Sequence, residues 1–210
     1  MVHGISLNRE ILFVVGSALW ILARGIALVI KKKKKVHISL AREIALGILG
    51  LYLLGLAGIT LLPVNIVWGE RVFVPASTYI NYIPIVSITQ SIYLLKNNSF
   101  SIGYELKLLI MNVGGNLFLL TPLSVLLSII WNKCRQFKWC FVFCFLTSFL
   151  IETLQLVENI LGVAIGRICD IDDLILNSIG AVIGYSIYKY INGIYGVLRI
   201  KSHSISGSPD

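Results

Sequence analysis

Five long apolar runs alternate with shorter polar segments along the chain. They cover residues 11–30, 44–62, 108–130, 139–156 and 174–191. Each run is close to the roughly 20 residues that a helix needs to cross the hydrocarbon core of a bilayer. The pattern therefore predicts an all-α integral membrane protein with about five transmembrane helices.

The connection between the second and third runs is not simply polar. It contains an apolar stretch at residues 79–95, which Pro84 interrupts. Proline disfavours a straight helix at this point, and Tyr79, Tyr82 and Tyr93 are side chains typical of the membrane–water interface. We expect a re-entrant or interfacial segment here. The competing interpretation is a sixth span, which would reverse the topology of everything downstream.

Composition supports a membrane protein without an attached soluble domain. Hydrophobic residues make up 57% of the chain and charged residues 13%, whereas an ordinary soluble domain has roughly 25% charged residues. We expect one membrane domain over residues 1–200, followed by a disordered, Ser-rich tail at residues 201–210. The net charge of +8 then indicates attraction to anionic membrane surfaces, with membrane lipids as partners and no nucleic acid.

The basic residues are distributed unevenly between the two sides of the predicted spans. One side carries six Lys and Arg between the first and second spans, three between the third and fourth, and three near the C-terminus. The other side carries five, spread over longer segments. Because positive residues remain in the cytoplasm, we expect the N-terminus outside and the C-terminus inside. This orientation also places the acidic segment 170–173 outside.

The cysteines do not have the spacing of a zinc site. There are four, without a C-x-x-C motif and without a neighbouring His, so neither a metal nor another cofactor is expected. Cys140 and Cys144 are four residues apart in an apolar run and are predicted to be small buried packing residues. Any chemistry would therefore depend on carboxylates and Arg.

A polar stripe is predicted at the outer end of the fourth helix. Glu152, Gln155 and Asn159 are spaced three and four residues apart, which places them on one helix face. A carboxylate within a span costs roughly 2.5–3.5 kcal/mol on insertion scales. Such a group is paired, protonated or functional. The alternative is that Glu152 merely bonds to a neighbouring helix.

The third span carries Asn112 and Asn116, four residues apart and therefore predicted to share a face. They either bind a ligand or form hydrogen bonds between helices. Gly114 and Gly115, which lie between them, favour close helix packing.

The densest polar cluster lies just before the fifth span, at residues 166–173. Asp170 is predicted to cap the helix, and Asp173 lies in its favourable first turn. Capping does not explain Asp172 or Arg167. Three close carboxylates could bind Mg²⁺ or Ca²⁺, but their spacing is not that of an EF-hand, and no metal is expected. Arg167 could pair with Glu152 or bind a phosphate or carboxylate.

Taken together, these residues resemble the signature of VanZ-like membrane proteins. The resemblance covers about residues 60–190. It rests on three segments: Asn81-Tyr82-Ile83-Pro84; Asn112-Val113-Gly114-Gly115-Asn116-Leu117-Phe118-x-x-x-Pro122; and Glu152-x-x-Gln155 with Arg167-x-x-Asp170-x-x-Asp173-x-x-x-Asn177-x-x-Gly180-x-x-x-Gly184. Ser124 departs mildly from the pattern, since a Gly is common there.

The resemblance implies a bacterial plasma-membrane protein that acts at the outer leaflet. The founding member of the family is linked to resistance to teicoplanin, a lipoglycopeptide that targets the lipid-linked cell-wall precursor. A role in lipoglycopeptide tolerance is the expectation that follows.

Two hypotheses for the mechanism remain open, with a transporter or an assembly partner as a third possibility. In the first, the protein binds or shields an amphiphile, a lipid-linked cell-wall precursor or a lipoglycopeptide in an outward-facing polar cavity. In the second, it is an intramembrane enzyme with Glu152 as acid or base and Arg167 as anion binder. Candidate catalytic residues are Glu152, Arg167, Asp170 and Asp173; candidate binding residues are Asn81, Asn112, Asn116, Gln155, Asp172 and Asn177.

Overall fold

The computed structural model describes residues 4–67, 75–86, 89, 92–93, 102–163 and 168–205. The α-helices with defined bounds are α1 (Arg9–Lys33), α2 (Leu40–Thr60), α3 (Ile102–Leu109), α4 (Gly115–Leu119), α5 (Thr121–Ile130), α6 (Phe137–Ile160) and α7 (Ile171–Ile205). A π turn, Ile110–Gly114, joins α3 to α4, and 3₁₀ turns cover Ala76–Tyr79 and Asn132–Arg135. Short strands are β1 (Gly4–Leu7), β2 (Val64–Val67), β3 (Ile80–Asn81) and β4 (Cys169–Asp170).

Five helical segments in the described part of the chain are long and apolar enough to cross a membrane, which confirms the prediction. They are Arg9–Lys33, Leu40–Thr60, Ile110–Ile130, Phe137–Ile160 and Ile171–Ile194. The third segment is composite, since it contains the π turn, α4 and α5. The helix is interrupted at Leu120, two residues before Pro122, because a proline ring removes one backbone donor and collides with the preceding turn.

The core is built where α5, α6 and α7 pack together beside α2. Gly180 and Gly184 permit this approach: a Cβ on Gly180 would lie 2.0 Å from the Leu117 carbonyl oxygen, and a Cβ on Gly184 would lie 2.2 Å from that of Thr121. The Thr121 hydroxyl donates to the Gly180 carbonyl at 3.0 Å. The predicted small-residue packing surface on the fifth span is thereby confirmed.

The cysteines of the fourth span and of the turn before it belong to this core. Cys140 and Cys144 are buried, as predicted, and so is Cys134. The Ser124 hydroxyl lies 3.2 Å from the Cys140 sulfur and donates to the Ala181 carbonyl at 2.8 Å. These small polar side chains hold α5 against α6 and α7 without adding charge to the membrane interior.

Helix α1 packs chiefly on α2 and contributes no buried residue to the core. The two helices interlock through glycines: Leu54 fills the space beside Gly16, and Trp20 fills the space beside Gly50. Arg24 of α1 also forms an ion pair with Glu43 of α2.

The connection after α2 crosses the end of the bundle. Strand β1 pairs antiparallel with β2, and β3 pairs in parallel with β4, with Ile80 opposite Cys169. Residues 87–88, 90–91 and 94–101 lie outside the described residues. The re-entrant or interfacial segment at residues 79–95 therefore stays a prediction.

Candidate functional site

The polar candidates meet where α6 ends and α7 begins. Asp170 immediately precedes α7, and its Oδ1 accepts the backbone N–H of Asp172 at 2.9 Å. This is the predicted N-cap, in which a side-chain oxygen satisfies a donor that the helix itself leaves unpaired. Asp172 and Asp173 then lie in the first turn, where the helix dipole favours negative charge.

Glu152 joins α6 to this N-terminus. Its Oε2 accepts the backbone N–H of Asp170 at 2.9 Å, and the residue is only 5% exposed. The hydrogen bond offsets part of the cost of removing a carboxylate from water. Asp170 is therefore fixed from both directions, as an acceptor for α7 and as a donor to α6.

The segment that contains β3 is attached to the same point. The Asn81 amide donates to Asp170 Oδ1 at 3.1 Å, beside the parallel β3–β4 pairing. The backbone N–H of Ile85 donates to Asp172 Oδ1 at 2.5 Å. Asp172 is 1% exposed, so its carboxylate serves as a buried anchor for residues 80–85.

Asp173 is held differently from its neighbours. Its Oδ1 accepts a hydrogen bond from the Asn116 amide of α4, and the side chain is half-buried. Neither Asp173 nor Glu152 pairs with a Lys or Arg in the described ranges. We name Glu152, Asp170, Asp172 and Asp173 the acidic cluster.

Gln155 and Asn177 were also predicted as binding residues. Their amides donate hydrogen bonds to groups other than these carboxylates. The Gln155 amide donates to the carbonyl of Thr60 at 2.8 Å and so ties α6 to the end of α2. The Asn177 amide donates to the Ser148 hydroxyl at 3.0 Å, one turn deeper in the bundle than the acidic cluster. Asn177 is 1% exposed, and its Oδ1 accepts no hydrogen bond from the described residues.

Asn112 does not join the cluster. It is exposed and lies inside the π turn Ile110–Gly114. Asn116, by contrast, is half-buried and donates to Asp173. Arg167 lies outside the described residues, and its predicted pairing with Glu152 stays a prediction.

The sequence pattern of the VanZ/LLP1 family matches residues 49–193. The chain belongs to the VanZ/LLP1 family. The matched range contains the whole acidic cluster together with Asn81 and Asn116, whereas α1 and the first turns of α2 precede it. No curated protein and no solved structure matches the chain.

One residue near the acidic cluster of this VanZ/LLP1 protein was not predicted from the sequence. Cys169 is half-buried in β4, and burial together with the negative charge of Glu152 raises the pKa of its thiol to about 11. The thiol therefore stays protonated at neutral pH. Only its place between Arg167 and Asp170 in the family motif could have marked this position.

The described residues contain no group of three or more His, Cys, Asp or Glu arranged to hold a metal ion. The carboxylates lie at one end of the bundle, but they bond to separate partners: Glu152 to β4, Asp172 to Ile85 and Asp173 to α4. What this arrangement offers chemically is a concentration of negative charge, of which Asp173 is the most accessible part.

Proposed function

We propose that this VanZ/LLP1 protein binds the cationic group of an amphiphile at the outer leaflet through the acidic cluster, and thereby contributes to tolerance of lipoglycopeptide antibiotics. The amphiphile is a lipid-linked cell-wall precursor or the lipoglycopeptide itself. The observation that carries the proposal is Asp173: it is half-buried, accepts an amide hydrogen bond, and pairs with no cation in the described part of the chain.

The chemistry follows from the setting of that carboxylate. A charged hydrogen bond is stronger in a partly dehydrated site than in water, and an ammonium or guanidinium would supply the positive charge that the Asn116 amide lacks. The neighbouring carboxylates Asp170 and Asp172 add a negative field while remaining engaged with the backbone.

The proposal includes an orientation, with the acidic cluster outside and the lysine run inside. It is supported by the uneven distribution of basic residues, because six of them lie between Lys31 at the end of α1 and Arg42 at the start of α2. Ser6→Cys in β1 should react with a membrane-impermeant maleimide in intact cells. Lys35→Cys should react only after permeabilisation; the reverse pattern would refute the orientation.

The function itself is tested by Asp173→Asn, which keeps the acceptor for Asn116 and removes the charge. We expect a marked loss of lipoglycopeptide tolerance at unchanged protein level in the membrane. Glu158→Gln is the matched control, since it removes a charge from the end of α6 without touching the acidic cluster, and it should retain tolerance. Full tolerance in a normally expressed Asp173→Asn variant would refute the proposal.

Intramembrane catalysis with Glu152 as acid or base is the second candidate, favoured by one observation: a carboxylate is buried beside a concentration of negative charge. The same burial leaves little room for substrate contact, and Glu152 already accepts the Asp170 N–H. Glu152→Gln keeps that acceptor but cannot transfer the proton. If catalysis is the function, this variant is inactive, and mass analysis of precursor lipids reveals a modified species only with the unaltered protein.

A further inference from the structure

A groove that contains no residue of the acidic cluster runs along the seam between α1 and α2. It encloses about 400 Å³ and is lined by Arg9, Glu10, Phe13, Val14, Leu54, Gly55, Gly58 and Ile59. This volume lies within the roughly 300–1,000 Å³ usual for small-molecule sites. The groove is lined mainly by apolar side chains of two helices long and apolar enough to span a membrane, so its natural occupant is an amphiphile.

Two glycines create the space. A Cβ added to Gly55 would meet no atom within 4 Å, and one added to Gly58 would meet only the Cβ of Arg9 at 3.7 Å. Apolar side chains, Phe13, Val14, Leu54 and Ile59, form the walls. The groove is thus open along its length and suited to an acyl chain.

The charged residues are confined to one end of the groove. Arg9 and Glu10 are the first two residues of α1 and both are exposed. In the described part of the chain, neither forms an ion pair. One free cation and one free anion therefore stand side by side where an apolar channel begins.

We infer that this groove holds a phospholipid whose headgroup carries both a phosphate and a primary ammonium, as in phosphatidylethanolamine. Arg9 binds the phosphate with its fork of N–H donors, and the Glu10 carboxylate accepts hydrogen bonds from the ammonium. Phosphatidylglycerol offers Glu10 no cation, and the quaternary ammonium of phosphatidylcholine has no N–H to donate. The pair of opposite charges thus matches one class of headgroup better than the other two.

The test uses the full chain, reconstituted in nanodiscs with equal parts of phosphatidylethanolamine, phosphatidylglycerol and phosphatidylcholine. Native mass spectrometry after release then identifies the lipids that remain bound. We expect phosphatidylethanolamine to be retained about tenfold over each of the other two lipids, as one charged hydrogen bond of about 1.4 kcal/mol would give. Retention in the input ratio, or a preference for either other lipid, would overturn the inference.

Variants locate the binding in this groove. Gly55→Leu fills the channel and should abolish the enrichment. Gly47→Leu is the matched control on the same helix: its Cβ also meets nothing within 4 Å, it does not line the groove, and the enrichment should persist. Glu10→Gln should remove the preference for phosphatidylethanolamine while retaining lipid through Arg9. Equal retention by the Gly55→Leu and Gly47→Leu proteins would refute the site.

Discussion

Charged side chains occur at both ends of the helix bundle, but the two ends neutralise them in different ways. At the end that contains the lysine run, Glu43 of α2 accepts from Arg24 and, at 2.5 Å, from Lys31, both of α1. At the other end, Glu152 and Asp173 are held by a backbone N–H and by the Asn116 amide.

The difference separates a structural contact from a candidate binding site. The Glu43 carboxylate is already paired with two cations, so it is not available to a cationic ligand. Its role is to hold α1 against α2. A carboxylate that accepts from uncharged donors, and from no cation in the described ranges, remains available to a cationic ligand. The end without described ion pairs is therefore the one at which we propose ligand binding.

The largest effect is expected from a change in the packing of α7, the helix that carries Asp172 and Asp173. Gly180→Ala places a Cβ 2.0 Å from the Leu117 carbonyl oxygen, so α7 must shift away from α4 and α5. We expect a loss of about 3 kcal/mol of unfolding free energy, the upper end of usual overpacking costs. Thermal unfolding in detergent would show it, whereas Gly193→Ala, whose Cβ meets nothing within 4 Å, should be neutral.

At the end that contains the lysine run, Glu43→Gln removes the anion that joins α2 to α1. Gln retains the shape but leaves Arg24 and Lys31 without an anion. Hydrogen bonds to charged groups contribute about 1.5–3 kcal/mol, and we expect a loss of about 2 kcal/mol of unfolding free energy. Glu10→Gln, which removes a carboxylate without an ion-pair partner in the described part of the chain, should change the stability by less than about 0.5 kcal/mol. Equal effects of the two changes would contradict the structural role of Glu43.

Removing the amide at the acidic end should have a smaller effect on stability. Asn116→Leu deletes the donor to Asp173, and an ordinary hydrogen bond contributes about 1 kcal/mol. Because Asp173 is half-buried, water can replace part of the lost contact. An unfolding free energy that falls by more than that of the Glu43→Gln protein would show that Asp173 is primarily structural.

The smallest effect is expected on the alkylation rate of Cys169, which depends on the charge of Glu152. Burial and the Glu152 carboxylate raise the pKa of Cys169 to about 11, so the thiolate, the form that alkylates, is scarce at pH 8 and increases as the pH rises toward that value. Glu152→Gln should lower the pKa and speed alkylation of Cys169 several-fold. An unchanged rate would mean that no negative charge lies beside the thiol, and Leu150→Ile serves as the neutral control on α6.

The sequence predicted the spans well because a bilayer imposes a length and an apolar composition on each of them. It also predicted the Asp170 cap and the Gly180–Gly184 packing surface, both of which follow from local rules of helix termini and helix contact. Each of these features depends on residues within one or two turns of one another.

Features that depend on pairing between distant segments could not be predicted. The β3–β4 pairing involves two residues on each side, too few for a periodic pattern. The contact of Glu43 with Arg24 depends on how α1 folds back on α2. Asn112 was grouped with Asn116 on an ideal α-helix, whereas the structure has a π turn there, and Asn112 is exposed while Asn116 bonds to Asp173.

The anchoring of residues 80–85 on α7 has a consequence for occupancy of the site. Asp170 and Asp172 hold this segment through Asn81 and the Ile85 N–H. A cationic ligand that binds either carboxylate competes with those donors. Ligand binding and the docking of residues 80–85 on α7 are therefore thermodynamically coupled. A change that makes residues 80–85 dock more tightly should lower the affinity of a ligand that requires Asp172. The affinity of a ligand that requires only Asp173 should not change.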